Sequence, residues 1–107
     1  VVPGMRILVI EPLKPPYSKD ICGSLEEMKA IVGGYIQAIY PFDDPIALVC
    51  NEEGKLIGLP QNRLLFDREG CAYDIICGTF FLAGLGEEDF ISLTDDELER
   101  YSRYFTA

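Results

Sequence analysis

Two groups of side chains in this sequence have the types and spacing to do chemistry. In the segment Gln61-Asn62-Arg63, a guanidinium able to grip a carboxylate through two parallel N–H bonds sits beside amides that both donate and accept. Read as a loop at a sheet edge, with Asn51 nearby, these residues would form the mouth of a small-ligand or nucleotide-derivative site, or a grip on a peptide carboxylate. The second group is acidic. Glu87, Glu88, Asp89, Asp95, Asp96, Glu97 and Glu99 would present carboxylates along one surface and imitate a run of phosphates to a protein built to bind nucleic acid. Each group also has a plainer reading. Arg63 can pair locally while Asn62 closes a turn, and Asp95 to Glu97 can serve a helix start beside a solvated loop at 87–89.

Other chemistries are weaker here. Glu11, Asp20, the Asp43-Asp44 pair and Asp74 are the oxygen ligands a divalent cation would use, yet Asp43 and Asp44 precede Pro45 in a turn that already explains them. The chain contains no histidine, which excludes zinc sets containing His, Ser-His and Cys-His nucleophile pairs, and imidazole bases. Cys22, Cys50, Cys71 and Cys77 form no Cys-x-x-Cys pair and read as reduced, partly buried thiols. Tyr35, Tyr40, Phe42, Phe80 and Phe81 have the rings for base stacking but lack a basic groove, so core packing accounts for them better. Neither Gly33-Gly34 nor Gly84-Leu85-Gly86 belongs to a phosphate-loop pattern. The expectation is a protein that is not an enzyme and carries no cofactor or metal.

With 107 residues, 49% of them apolar, the chain should build one core. Eighteen acidic against nine basic residues give a formal charge of −9, which opposes direct binding to nucleic acid or anionic membrane. The expected partner is a protein, basic or nucleic-acid-handling. The longest apolar run, from Ile75 to Leu85, falls far short of the roughly 20 residues of a membrane span. The start lacks the pattern of a secretory leader, so the cytoplasm is expected. Met5 reads as the natural initiator, with Val1 to Gly4 a cloning remnant and residues 5–107 a single domain.

The elements that must position these side chains are organised around Gly33 to Pro60, which reads as three consecutive strands: Tyr35–Tyr40, Ile46–Cys50 and Lys55–Leu59. The last two are joined by an Asn51-Glu52-Glu53-Gly54 hairpin loop with Gly54 at positive φ. Arg6–Glu11 reads as a strand buried on both faces, Lys19–Cys22 as a brief strand, and Gly78–Ala83, which follows the apolar stretch Cys71–Cys77, as a further strand. Ser24 and Glu27 form a capping box for a short helix with Leu25, Met28, Ile31 and Val32 on one stripe, closed by Gly33-Gly34. Thr94 and Glu97 form a second box for a helix whose apolar side carries Leu98, Tyr101 and Phe105, along with Tyr104, with Arg100 and Arg103 complementing its negative end. The fold expected is α+β: a mixed, largely antiparallel sheet of about five strands with two short helices.

Gly33-Gly-Tyr-Ile-Gln-Ala38, Asn51-Glu-Glu-Gly-Lys-Leu56, Leu59-Pro-Gln-Asn-Arg63 and Tyr73-Asp-Ile-Ile-Cys-Gly-Thr-Phe-Phe-Leu82 together resemble a family of domains of unknown function, number three-eight-four-six. The resemblance runs in order over almost the whole chain from Met5. It implies an origin in bacteria, their phages or plasmids, especially in Firmicutes, often beside genes of mobile elements, and it assigns no activity or site residue. The combined expectation is a small acidic interaction module of mobile-element type, a regulator or counter-defence inhibitor. The alternative is a ligand-binding protein that uses Gln61 to Arg63.

Overall fold

A computed structural model of the chain describes residues 5–22, 24–42, 44–54, 56–67, 69–86 and 90–105. The apolar runs become strands β1 (Met5–Ile10), β2 (Tyr17–Ile21), β3 (Ile36–Ile39), β4 (Ile46–Asn51), β5 (Gln61–Phe66), β6 (Ala72–Cys77), β7 (Phe80–Leu85) and β8 (Phe90–Ile91). Two helices, α1 (Leu25–Val32) and α2 (Asp95–Tyr104), complete an α+β domain. The main sheet has the order β2-β1-β7-β4-β3, with β8 also paired to β7, while β5 and β6 form a separate hairpin. Each of these pairings is antiparallel.

The molecule has three layers, and that explains why β1, β4 and β7 are apolar at nearly every position. On one face Ile7, Val9, Val49, Phe81 and Ala83 pack under Met28 and Val32 of α1. On the other, Leu8, Ile10, Leu48, Phe80 and Leu82 pack under Leu65 and Ile76 of the hairpin, under Tyr101 of α2 and under Phe105, the residue that follows α2. Removing these side chains from water is the dominant stabilisation of the fold.

Local signals fix the helix ends. The Ser24 hydroxyl accepts the Glu27 N–H at 3.2 Å, but the Glu27 carboxylate accepts the Cys22 N–H at 2.8 Å and does not close a box on Ser24. Gly33, at φ 80°, ends α1 by donating to the Lys29 carbonyl. The Thr94 and Glu97 box on α2 is reciprocal, as expected.

The segment expected to return as a third consecutive strand does not. Leu56 to Gly58 form turns with Leu56 86% exposed, and Lys55 lies outside the described residues. The reason is topological: β3 and β7 already occupy both edges of β4, leaving no place for a returning strand. Gly54 is not at positive φ. It is needed for a close approach, since a Cβ there would stand 2.7 Å from the Cys77 carbonyl oxygen. Gln61 to Arg63, expected as a loop, are the first half of β5, which pairs with β6 through bulges at both ends.

Candidate functional site

An open groove of about 590 Å³ lies between α2, the β3–β4 connection and the turn end of the β5–β6 hairpin. Its walls are mainly aromatic. Phe42 inserts edge-on between Tyr101 and Tyr104, with ring centroids 4.7 and 6.0 Å away. Phe105 lies beneath, in edge contact with Phe80 of the core. Phe66 and Tyr73 line the groove from the hairpin, and with Tyr104 they keep about half their surface in water.

A polar network stands among the rings. The Asp44 carboxylate accepts the Tyr101 hydroxyl at 2.8 Å and Arg100 at 3.0 Å, and Arg100 also donates to Asp96. The Tyr101 hydroxyl and the Arg100 guanidinium hold Asp44 below the usual carboxylate range. Burial, and then Asp44, raise the Tyr101 phenol above its ordinary value. Asp67 supplies a second carboxylate to the lining.

The residues singled out from sequence fall elsewhere. Arg63 is an internal clasp: Nε donates to the Phe105 carbonyl at 2.8 Å, Nη2 to the Lys14 carbonyl at 3.0 Å, and Nη1 to Asn62. Arg63 thus caps the negative end of α2, and Arg103 stands in its last turn as expected, paired with Glu99, while Arg100 pairs with Asp96 and Asp44. The Asn62 amide donates to the Ile10 and Gly78 carbonyls, sewing the hairpin to β1. Asn51 is buried, donates to the Val32 carbonyl at the end of α1 and accepts the Glu53 N–H. Gln61 is exposed at the start of β5. The structure does not gather these four into one mouth.

Of the acidic group, Glu87, Glu88 and Asp89 lie outside the described residues. Asp95 stands 4.0 Å from Arg6, Asp96 pairs with Arg100, Glu97 caps α2, and Glu99 pairs with Arg103. These are exposed surface pairs, each with a local role. Asp43 also lies outside the described residues.

Asp67, Glu69 and Cys71 bring three metal-type ligands within 4.8 Å of one another at the exposed hairpin turn. Asp67 Oδ1 there accepts the N–H groups of Glu69 and Cys71, which is ordinary turn chemistry. No disulfide joins the four cysteines; Cys50 is buried, and Cys22 and Cys71 are exposed. Among the described residues, no helix is long and apolar enough to cross a membrane.

Sequence reasoning missed the groove. Its signal was the run Leu64-Leu65-Phe66: in a hairpin with one face against the core, only alternate members can be buried, and here Leu65 goes in while Leu64 and Phe66 stay out.

No curated protein and no solved structure matches this chain. A family model described as "Domain of unknown function (DUF3846)" matches residues 5–106, and the chain belongs to that family.

Proposed function

We propose that this domain works by binding rather than by catalysis, as an interaction module of a mobile genetic element whose groove beside α2 receives a basic segment of a nucleic-acid-handling protein. Such a module would serve as a regulator of the element's own proteins or as an inhibitor of host defence, in the cytoplasm. The observation that carries the reading is the groove: half-exposed Phe66, Tyr73 and Tyr104 around Asp44 and Asp67. Aromatic faces attract ammonium and guanidinium groups, and aromatic side chains are enriched at interface anchors. The formal charge of −9 would speed the approach of a basic partner and repel nucleic acid itself.

The test is a pull-down with tagged protein at low and moderate salt, beside a Tyr73→Ser/Tyr104→Ser variant. The reading expects a basic, nucleic-acid-handling protein that is lost at moderate salt and lost with the double variant. Recovery of the same partner by the variant at unchanged yield would remove the groove from the proposal. Capture of nucleic acid directly, with no protein between, would overturn it.

A further inference from the structure

We infer that the open edge of the main sheet, strand β3, is a second docking site, which takes an extended basic segment of a partner protein as an added strand. The inference goes beyond the groove reading and stands without it.

Among the described residues, strand β3 ends the sheet and pairs only with β4. The register runs from Ile36 opposite Asn51 to Ile39 opposite Leu48, and just before it the Tyr35 carbonyl accepts the Glu52 N–H at 2.9 Å. Antiparallel ladders alternate between bonded and non-bonded pairs. Counting from Tyr35, residues Gln37 and Ile39 bond to β4, while Ile36 and Ala38 turn their N–H and C=O groups outward. That is the template an incoming strand reads.

Among the described residues, nothing within the strand itself guards this edge. Sheet edges are usually blunted by charge, proline or bulges. At the opposite end of this sheet, β2 carries Lys19 and Asp20, both exposed, directly after Pro15-Pro16. From Tyr35 to Phe42 there is no charged residue, and Pro41 lies beyond the paired positions. Tyr35 and Tyr40, 63% and 62% exposed, flank the strand.

Beside β3 there is room for the side chains of an added strand. A cleft of about 300 Å³ opens between the sheet and the hairpin, lined by Gln37 and Ile39 of β3, Ile75 of β6, Leu56, and the acidic residues Glu52 and Asp74. Alternate residues of an added strand would face this cleft. The Glu52 carboxylate and the formal charge of −9 select the occupant. A second copy of this chain would bring another formal −9 against them, whereas lysine or arginine at alternate positions would complement them.

The probe is an end-blocked peptide of roughly eight residues alternating lysine and valine, compared with its glutamate-valine counterpart and with a version N-methylated at alternate backbone nitrogens. Binding and amide hydrogen exchange are followed by NMR. The lysine-valine peptide is expected to slow exchange at Ile36 and Ala38 by about tenfold or more, and the glutamate-valine peptide to leave it unchanged. N-methylation should weaken binding by about tenfold or more. Ala38→Pro removes an outward N–H without touching the β4 ladder and should abolish binding, while Tyr73→Ser should leave it intact. The N-methylated peptide makes the same test on the unaltered protein. Failure of the lysine-valine peptide to protect Ile36 and Ala38 would overturn the inference, as would equal binding of the N-methylated peptide. So would a dimer that protects those amides with no peptide present.

Discussion

Replacing Arg63 with alanine is expected to destabilise the fold rather than remove a ligand contact. The side chain holds the Phe105 carbonyl at 2.8 Å, the Lys14 carbonyl at 3.0 Å and Asn62. These bonds do not count equally. Phe105 is 2% exposed, so its carbonyl has little access to replacement water, whereas Lys14 is exposed and water can take the place of the guanidinium. A hydrogen bond from a charged donor contributes about 1.5–3 kcal/mol, and a cation at a helix C-terminus adds about 0.3–1 kcal/mol. The expected loss is therefore about 3 kcal/mol, which at about 4 °C per kcal/mol for a chain of this size lowers Tm by about 12 °C. Urea unfolding provides the assay. With a slope of about 1.5 kcal/mol/M the midpoint should fall by about 2 M with the slope unchanged. Arg63→Lys keeps the charge but loses the planar fork, and should recover no more than about 1 kcal/mol. A loss below about 0.5 kcal/mol in Arg63→Ala would refute the reasoning, because water would then satisfy Phe105 as well as the guanidinium does.

Asp44 has a lowered folded-state value, so its contribution is present above the unfolded carboxylate value of about 4 and is lost as the pH falls through the lowered one. The stability gap between wild type and Asp44→Asn, followed by acid titration of unfolding, should accordingly close as the pH falls through that range. Asn51→Ala leaves the Val32 carbonyl and the Glu53 N–H without their partner and should cost about 2 kcal/mol by urea denaturation. Gly84→Ala places a Cβ 2.9 Å from the Ser92 carbonyl oxygen, so β8 must move off β7, at a cost of about 1–3 kcal/mol and with faster amide exchange at Ile91.

Elements whose signals are local were legible in the sequence. Thr94 and Glu97 lie three residues apart and cap α2 in the structure as they read on the page. Strands β1, β4 and β7 were legible because burial on both faces leaves no polar alternation to misread. Lys55 to Leu59 misled because an apolar run after a turn resembles a returning strand, and only the insertion of β7 beside β4, thirty or so residues later, closes that place. The site failed for the same kind of reason. Asn62 apart, the partners of Arg63 are 42 and 49 residues away, so its neighbours in sequence do not reveal that Nε and Nη2 are engaged. Phe66, Tyr73 and Tyr104 become neighbours only when the hairpin and α2 are laid side by side on the sheet.

The central place of β7 bears on how the chain is made. Until Phe80 to Leu85 have been synthesised, β1 with β2 and β3 with β4 are two separate hairpins, and the strand that joins them is missing. A hairpin alone is marginal in water, so an emerging chain gains little stability before β7 is made. Assembly then closes long loops around one late strand, an arrangement associated with folding in milliseconds to seconds rather than microseconds. During that interval the inner faces of both hairpins are bare, and a nascent chain stalled before Phe80 should be the form that chaperones hold and proteases cut.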